Sequence, residues 1–320
     1  MRASGLGIRI LLAAVLTITL GAAAPVPERK PDAPLKPAPD VAWAKVTTPA
    51  NGRPQVVGGY THGCIQGAVA LPLDGPGYTV LRPQRLRYFG HPILIQMVQD
   101  LGAWADATGV GTLLVGDLSQ PRGGPMSYGH ASHEAGLDVD IWLRLLPPGQ
   151  RLSDAERRRP TAISYVRPGA NTVDPTVWRP AQAALVRAAA LDPRVTRLFV
   201  NPAIKASLCA AYPPDDDRNA GWLRKVRPWY GHDSHLHIRL SCPVDSAACE
   251  PQAPPPPGAG CEEETLVWWG EEMTRWLAAK AHRAAQAVAR AANSGESAPD
   301  SVAPAPQPLP EACQAILISR

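Results

Sequence analysis

Behind Pro92, apolar residues recur at Ile93, Leu94, Met97, Val98, Leu101 and Trp104, a helical spacing that opens on proline and stops before Gly109. Residues 111–116 form a short apolar run that reads as a strand. Leu137, Val139 and Ile141 then alternate with Asp138, Asp140 and Trp142, and Leu236, Ile238 and Leu240 alternate with His235, His237 and Arg239. A period of two marks strands with one apolar and one polar face. Residues 180–191 predict a second helix, stopped by Asp192-Pro193. Residues 195–200 predict another strand, and residues 265–292 a long Ala-, Trp- and Glu-rich helix. No βαβ rhythm repeats, so the expectation is an α+β fold: a central antiparallel β-sheet with flanking helices.

Proline divides the chain into regions. Residues 24–55 lack apolar periodicity and are expected to be a proline-rich leader, with the folded part beginning near Val56. Residues 251–260 and 298–310 are expected to run as extended surface segments, and residues 213–220 as an extended loop. This gives a domain at 56–261 and a helical and proline-rich extension at 262–320. At the other end, Arg2 and Arg9 flank an apolar run at 10–20 that closes on Gly21-Ala-Ala-Ala24. Eleven residues are too few for a membrane span, which needs about 20. The pattern reads as a signal peptide at 1–23 for export.

Composition adds two limits. With 45% hydrophobic residues the chain can build a core, and a net charge of +4 gives no argument for nucleic acid. The six cysteines, Cys64, Cys209, Cys242, Cys249, Cys261 and Cys313, form no C-x-x-C pair. In an exported chain they imply a disulfide-stapled fold, and six cysteines allow 15 pairings.

Five of the eight histidines fall in two windows, His130 and His133, then His232, His235 and His237. Gly136 supplies a bend through which Asp140, seven residues past His133, can return beside it. If the two alternating strands are neighbours, His133, Asp140 and His237 converge as two imidazoles and a carboxylate, a set that suits zinc and leaves a position for water. The competing view is a hydrogen-bonded polar surface. Asp138 is expected to accept from a ligand histidine, Glu134 to lie at the surface, Trp142 and Trp229 to be core, and His62, His91 and His282 to be structural or solvated. Familiar alternatives are missing: no H-E-x-x-H, no G-x-S-x-G, no S-x-x-K and no phosphate loop.

His133-x6-Asp140 with His235-x-His237 resembles the metallopeptidases that include D-alanyl-D-alanine dipeptidases and lysostaphin-type enzymes. Val57-Gly-Gly-Tyr-Thr-His-Gly-Cys64, Arg87-Tyr-Phe-Gly-His-Pro92, Gly129-His-Ala-Ser-His133, Gly136-Leu-Asp-Val-Asp-Ile141, Leu198-Phe-Val-Asn-Pro-Ala-Ile-Lys205, Trp222-Leu-Arg-Lys-Val-Arg-Pro-Trp229 and Cys242-Pro-Val-Asp245 resemble one branch more closely, the penicillin-insensitive murein endopeptidase family. The resemblance implies a periplasmic zinc hydrolase that cuts D-alanyl to meso-diaminopimelyl cross-links in peptidoglycan. It implies metal ligands at His133, Asp140 and His237, with His130 auxiliary and His232 and His235 beside the water. It also implies disulfides Cys64 to Cys313, Cys209 to Cys261 and Cys242 to Cys249. Ser234, not Glu, stands three residues before His237, so His235 is the candidate base, with His232 next. A zinc D,D-carboxypeptidase and a non-catalytic peptidoglycan-binding protein are the alternatives.

Overall fold

The fold is described from a computed structural model covering residues 41–127, 129–168, 170–294 and 308–319. The expected signal peptide, residues 24–40 of the leader and most of the last proline-rich stretch lie outside the described residues. In chain order the strands are β1 (Gln55–Gly59), β2 (His62–Gln66), β3 (Val69–Ala70), β4 (Asp74–Gly75), β5 (Tyr78–Val80), β6 (Phe89–Gly90), β7 (Thr112–Val115), β8 (Asp138–Leu146), β9 (Val195–Val200), β10 (Val226–Pro228) and β11 (His235–Leu240). The α-helices are α1 (Val41–Ala44), α2 (Pro92–Thr108), α3 (Asp154–Arg158), α4 (Pro180–Leu191), α5 (Pro202–Ala211), α6 (Asp217–Lys225), α7 (Glu263–Ser294) and α8 (Glu311–Ile318).

Seven strands form the main sheet in the order β10-β9-β11-β8-β7-β5-β4. Its pairings are antiparallel except β10 with β9 and β5 with β7, so the α+β reading holds. Strands β8 and β11 are neighbours, with His237 opposite Asp140 and Arg239 opposite Asp138. On the apolar face Leu137, Val139, Ile141, Leu236, Ile238 and Leu240 are buried in one apolar cluster with Leu94, Met97 and Val98 of α2 and Leu185 and Val186 of α4. Each such side chain removes enough apolar surface from water to contribute about 1.5–3 kcal/mol. The polar face of the same strands is thereby committed to the opposite side. Pro92 begins α2, where its missing N–H costs nothing, and Gly109 ends it at φ 65°.

Three disulfides staple the fold, Cys64 to Cys313, Cys209 to Cys261 and Cys242 to Cys249. Around the first, Trp43 and Ala50 pack with Ile316 of α8 in a separate apolar cluster. The packed region therefore begins before Val56: one tryptophan in a proline-rich stretch carries no periodicity, yet its indole is buried. The 213–220 segment also departs from an extended loop. Asp216 caps α6 by accepting from the Arg218 N–H (2.9 Å), and Trp222 and Leu223 bury the helix. The 251–260 stretch does run without regular structure but is pinned, since the Lys205 ammonium donates to Ala259 O and Arg224 to Pro256 O. No helix among the described residues is long and apolar enough to cross a membrane.

Candidate metal centre

Gly136 adopts φ 69°, a left-handed turn, and a Cβ there would lie 2.9 Å from Ile65 Cδ1. Glycine at this point lets the chain leave His133 and enter β8 with Asp140 aimed back at it. His133 and His232 are themselves left-handed, at φ 70° and 51°. Such backbone is uncommon for residues with a Cβ and costs on the order of 1–3 kcal/mol each, which the surrounding packing must hold. The strain falls on two of the histidines that the sequence singled out.

Asp140 is the hub. Its Oδ1 lies 3.4 Å from His133 Nε2, 3.3 Å from His237 Nδ1 and 3.8 Å from His235 Nε2, while its Oδ2 lies 3.6 Å from His130 Nδ1. His232 completes the set, its ring 4.9 Å from His235 and 5.9 Å from His237. Among the described residues, His130, His133 and Asp140 each offer a donor atom, all within 4.8 Å of one another. His237 reaches the same carboxylate from β11.

Outer partners fix these groups. Asp138 receives Arg239 Nε on Oδ1 (2.8 Å) and Nη2 on Oδ2 (3.1 Å), accepts the His133 backbone N–H (3.2 Å), and lies 3.4 Å from His237 Nε2. With Nε2 facing Asp138, His237 turns Nδ1 to the centre. On the other flank Asp117 accepts from Arg87 (2.9 Å) and Arg85 (3.2 Å) and meets His130 Nε2 at 3.2 Å. Asp117, Arg87 and Arg239 were not anticipated as site residues. Arg87 opens a quoted motif, but an arginine alone does not reveal a carboxylate thirty positions later.

Burial pushes Asp140 toward the neutral form, but the imidazoles of His133, His235 and His130 outweigh it and hold the carboxyl well below the ordinary range. Asp138 is likewise ionised, against its burial, by Arg239 and His237. Burial lowers His133 and His235, partly offset by Asp140, and takes His232 down to about 3 with help from His235 and His237. His237 alone rises, to about 9, because Asp138 and Asp140 outweigh its burial. The His232 Nδ1–H donates to Tyr230 O (2.6 Å), which leaves Nε2 as its lone-pair nitrogen.

Both ring nitrogens of His133 and Asp140 Oδ1 are buried without a hydrogen bond. Buried polar atoms are normally satisfied, and neutral imidazoles converging on a carboxylate are the donor set of a borderline-soft divalent cation. The residues fit a metal.

Other expectations meet mixed outcomes. Glu134 is buried and accepts from the Gly63 N–H (3.2 Å), so it is not a surface residue. Trp142 is core, but Trp229 is 45% exposed. His62 pairs with Glu250 at 2.8 Å, His91 is buried and accepts from the Ile93 N–H at the start of α2, and His282 is exposed.

A mostly antiparallel sheet whose polar face gathers histidines around a buried aspartate has the donor set of a metal-dependent hydrolase. The family described as penicillin-insensitive murein endopeptidase matches residues 56–318. Proteins of that name from Klebsiella pneumoniae and Pectobacterium atrosepticum are each 44% identical over 275 residues, 86% of this chain and 90% and 88% of theirs. One from Yersinia enterocolitica is 43% identical over 86% of this chain and 90% of its own length. The chain belongs to the penicillin-insensitive murein endopeptidase family, and it is a metallopeptidase.

Proposed function

We propose that this chain is a periplasmic, zinc-dependent murein DD-endopeptidase hydrolysing the D-alanyl to meso-diaminopimelyl cross-links of peptidoglycan. The observation that carries the reading is the register of β8 and β11, which sets His237 directly across from Asp140, beside His133. His133, Asp140 and His237 would hold the metal, with His130 as an auxiliary group between Asp140 and Asp117. Zinc, when bound, polarises the scissile carbonyl and lowers the pKa of water to about 7.

The chain's own residues do the rest. His235 Nε2 faces the centre and is neutral, so it can take the proton of the attacking water and return it to the leaving amine. His232, also neutral, lies with its ring 4.9 Å from His235 and is the second candidate for the proton. Asp138 holds His237 and, through the His133 N–H, the strained turn that presents His133. No acylable serine motif is present, so inhibition by β-lactams has no target in this mechanism.

The test is digestion of purified cross-linked muropeptide dimers with and without chelator, and with a β-lactam. The expected products are monomers, lost with chelator and undiminished by the β-lactam. Release of free D-alanine without dimer cleavage would make the chain a carboxypeptidase, and binding without either product would make it a wall-binding protein.

A further inference from the structure

The cleft face of the sheet carries a row that does not stop at the metal centre. From Asp140 on β8 it passes to His237 on β11 and then to Phe199 on β9, paired with His237 in register. The Phe199 ring lies 5.4 Å from His237 and 5.8 Å from Trp229, which follows β10 at the edge of the sheet. Trp229 lies 5.7 Å from Trp269 of α7, and Trp269 lies 5.0 Å from Trp268. Trp229 is 45% and Trp268 50% exposed. A row of partly exposed aromatic rings running outward from the histidine cluster is the kind of surface that marks a binding site.

The chain spends several interactions on building this row. The Cys209 to Cys261 disulfide and the Lys205 bond to Ala259 O anchor the segment just before α7, so that its first turns meet Trp229 and Tyr230. Gly270 lets the Asn171 amide approach the helix, since a Cβ there would lie 2.6 Å from Asn171 Nδ2. Tyr230 donates to Glu272 at 2.9 Å. The surface therefore offers aromatic faces rimmed by an amide and a carboxylate. That pairing suits a pyranose, which has an apolar C–H face and polar hydroxyl and acetamido edges. Glu263, Glu264, Glu271 and Glu272 on the same turns disfavour an anionic lipid surface.

We propose that Trp229, Trp269 and Trp268 form a saccharide platform that holds the glycan strand of the substrate while its stem peptide enters the metal centre. This rests on the murein reading. The platform makes the enzyme selective for cross-links still attached to glycan over free cross-linked peptide.

The test uses the full chain with Trp268→Ala, which removes an exposed ring at the far end of the row, and Trp268→Tyr, which restores an aromatic face. Binding of a hexamer of N-acetylglucosamine, a sugar without peptide, is measured by tryptophan fluorescence in the presence of chelator. The ratio of kcat/KM for glycan-bearing to sugar-free cross-linked substrate is measured with metal. Wild type is expected to bind the hexamer, with Trp268→Ala weaker by about tenfold, the size of an anchor residue's loss, and Trp268→Tyr largely restored. The kcat/KM ratio should fall by a similar factor, through KM.

No hexamer binding by wild type together with an unchanged ratio overturns the proposal. So does a Trp268→Ala effect confined to self-association or to vesicle binding. Hexamer binding in a protein that cleaves neither substrate leaves the platform standing and rejects the hydrolase reading instead.

Discussion

Asp138→Asn isolates the group that organises the centre without being one of its proposed ligands. The Asp138 carboxylate is buried, as is the Arg239 guanidinium, and the two share contacts of 2.8 and 3.1 Å. Removing one member of a buried ion pair costs about 3–5 kcal/mol, because the other charge stays desolvated. Asparagine keeps the volume and one acceptor, so the lower end, about 3 kcal/mol, applies. At roughly 2–4 °C per kcal/mol for a domain of this size, Tm of the metal-free protein should fall by about 6–12 °C. Zinc affinity measured above about pH 9, where His237 carries no proton for the metal to displace, should fall by about 10- to 100-fold, because His237 loses the carboxylate behind its Nε2.

The two effects separate in the double variant Asp138→Asn with Arg239→Met. Without the orphan guanidinium it should regain much of its Tm while zinc affinity stays low. Thermal unfolding in chelator and zinc titration check both. A metal-free Tm within about 2 °C of wild type, less than 1 kcal/mol on this scale, would refute the argument that the pair is a committed buried charge.

Zinc binding must displace the proton of His237, whose pKa is raised to about 9, so apparent affinity should rise roughly tenfold per pH unit up to that point, as competition titrations can show. In the metal-free protein the same shift stabilises the fold fully below pH 6.5, and this contribution is lost as pH rises through about 9. Lys205 acts in the opposite sense. Burial, reinforced by Arg227, lowers it from 10.5 to about 7, so its desolvation cost is full below pH 7 and is relieved as pH rises toward 10.5. Denaturant unfolding in chelator should therefore show Lys205→Met losing stability more steeply between pH 7 and 9 than wild type; equal slopes would contradict the assignment. Cys64→Ser with Cys313→Ser opens a link between residues 249 apart and should cost up to about 5 kcal/mol. Limited proteolysis should then release the α8 segment, which remains protected in wild type.

Much of the fold was legible because its signals are local. Alternation in β8 and β11 gave their two faces, and Pro92 and Gly109 gave the ends of α2. The histidine windows supplied the candidate residues, but their convergence depends on β8 and β11 being neighbours, a long-range fact that periodicity does not contain. Asp117 was missed for the same reason, since its arginines and His130 reach it through the fold. Trp229 was expected inside because tryptophan is usually covered. Its exposure follows from its place past the sheet edge, where Phe199 and Trp269 pack against it but leave 45% of it in solvent. Trp43 and α6 were hidden in proline-rich and aspartate-rich stretches whose average polarity conceals a single buried anchor in one case and a capped amphipathic turn in the other.

The central claim is that His133, Asp140 and His237 hold the metal while His235 moves the proton. It is tested most directly by zinc content per chain, measured alongside turnover, in Ala variants of these four residues. The expected result is close to one zinc in wild type, loss of most metal and activity in His133→Ala, Asp140→Ala and His237→Ala, and full zinc with turnover reduced by about 100-fold or more in His235→Ala. Full zinc retention in Asp140→Ala, or loss of zinc in step with activity in His235→Ala, would contradict it.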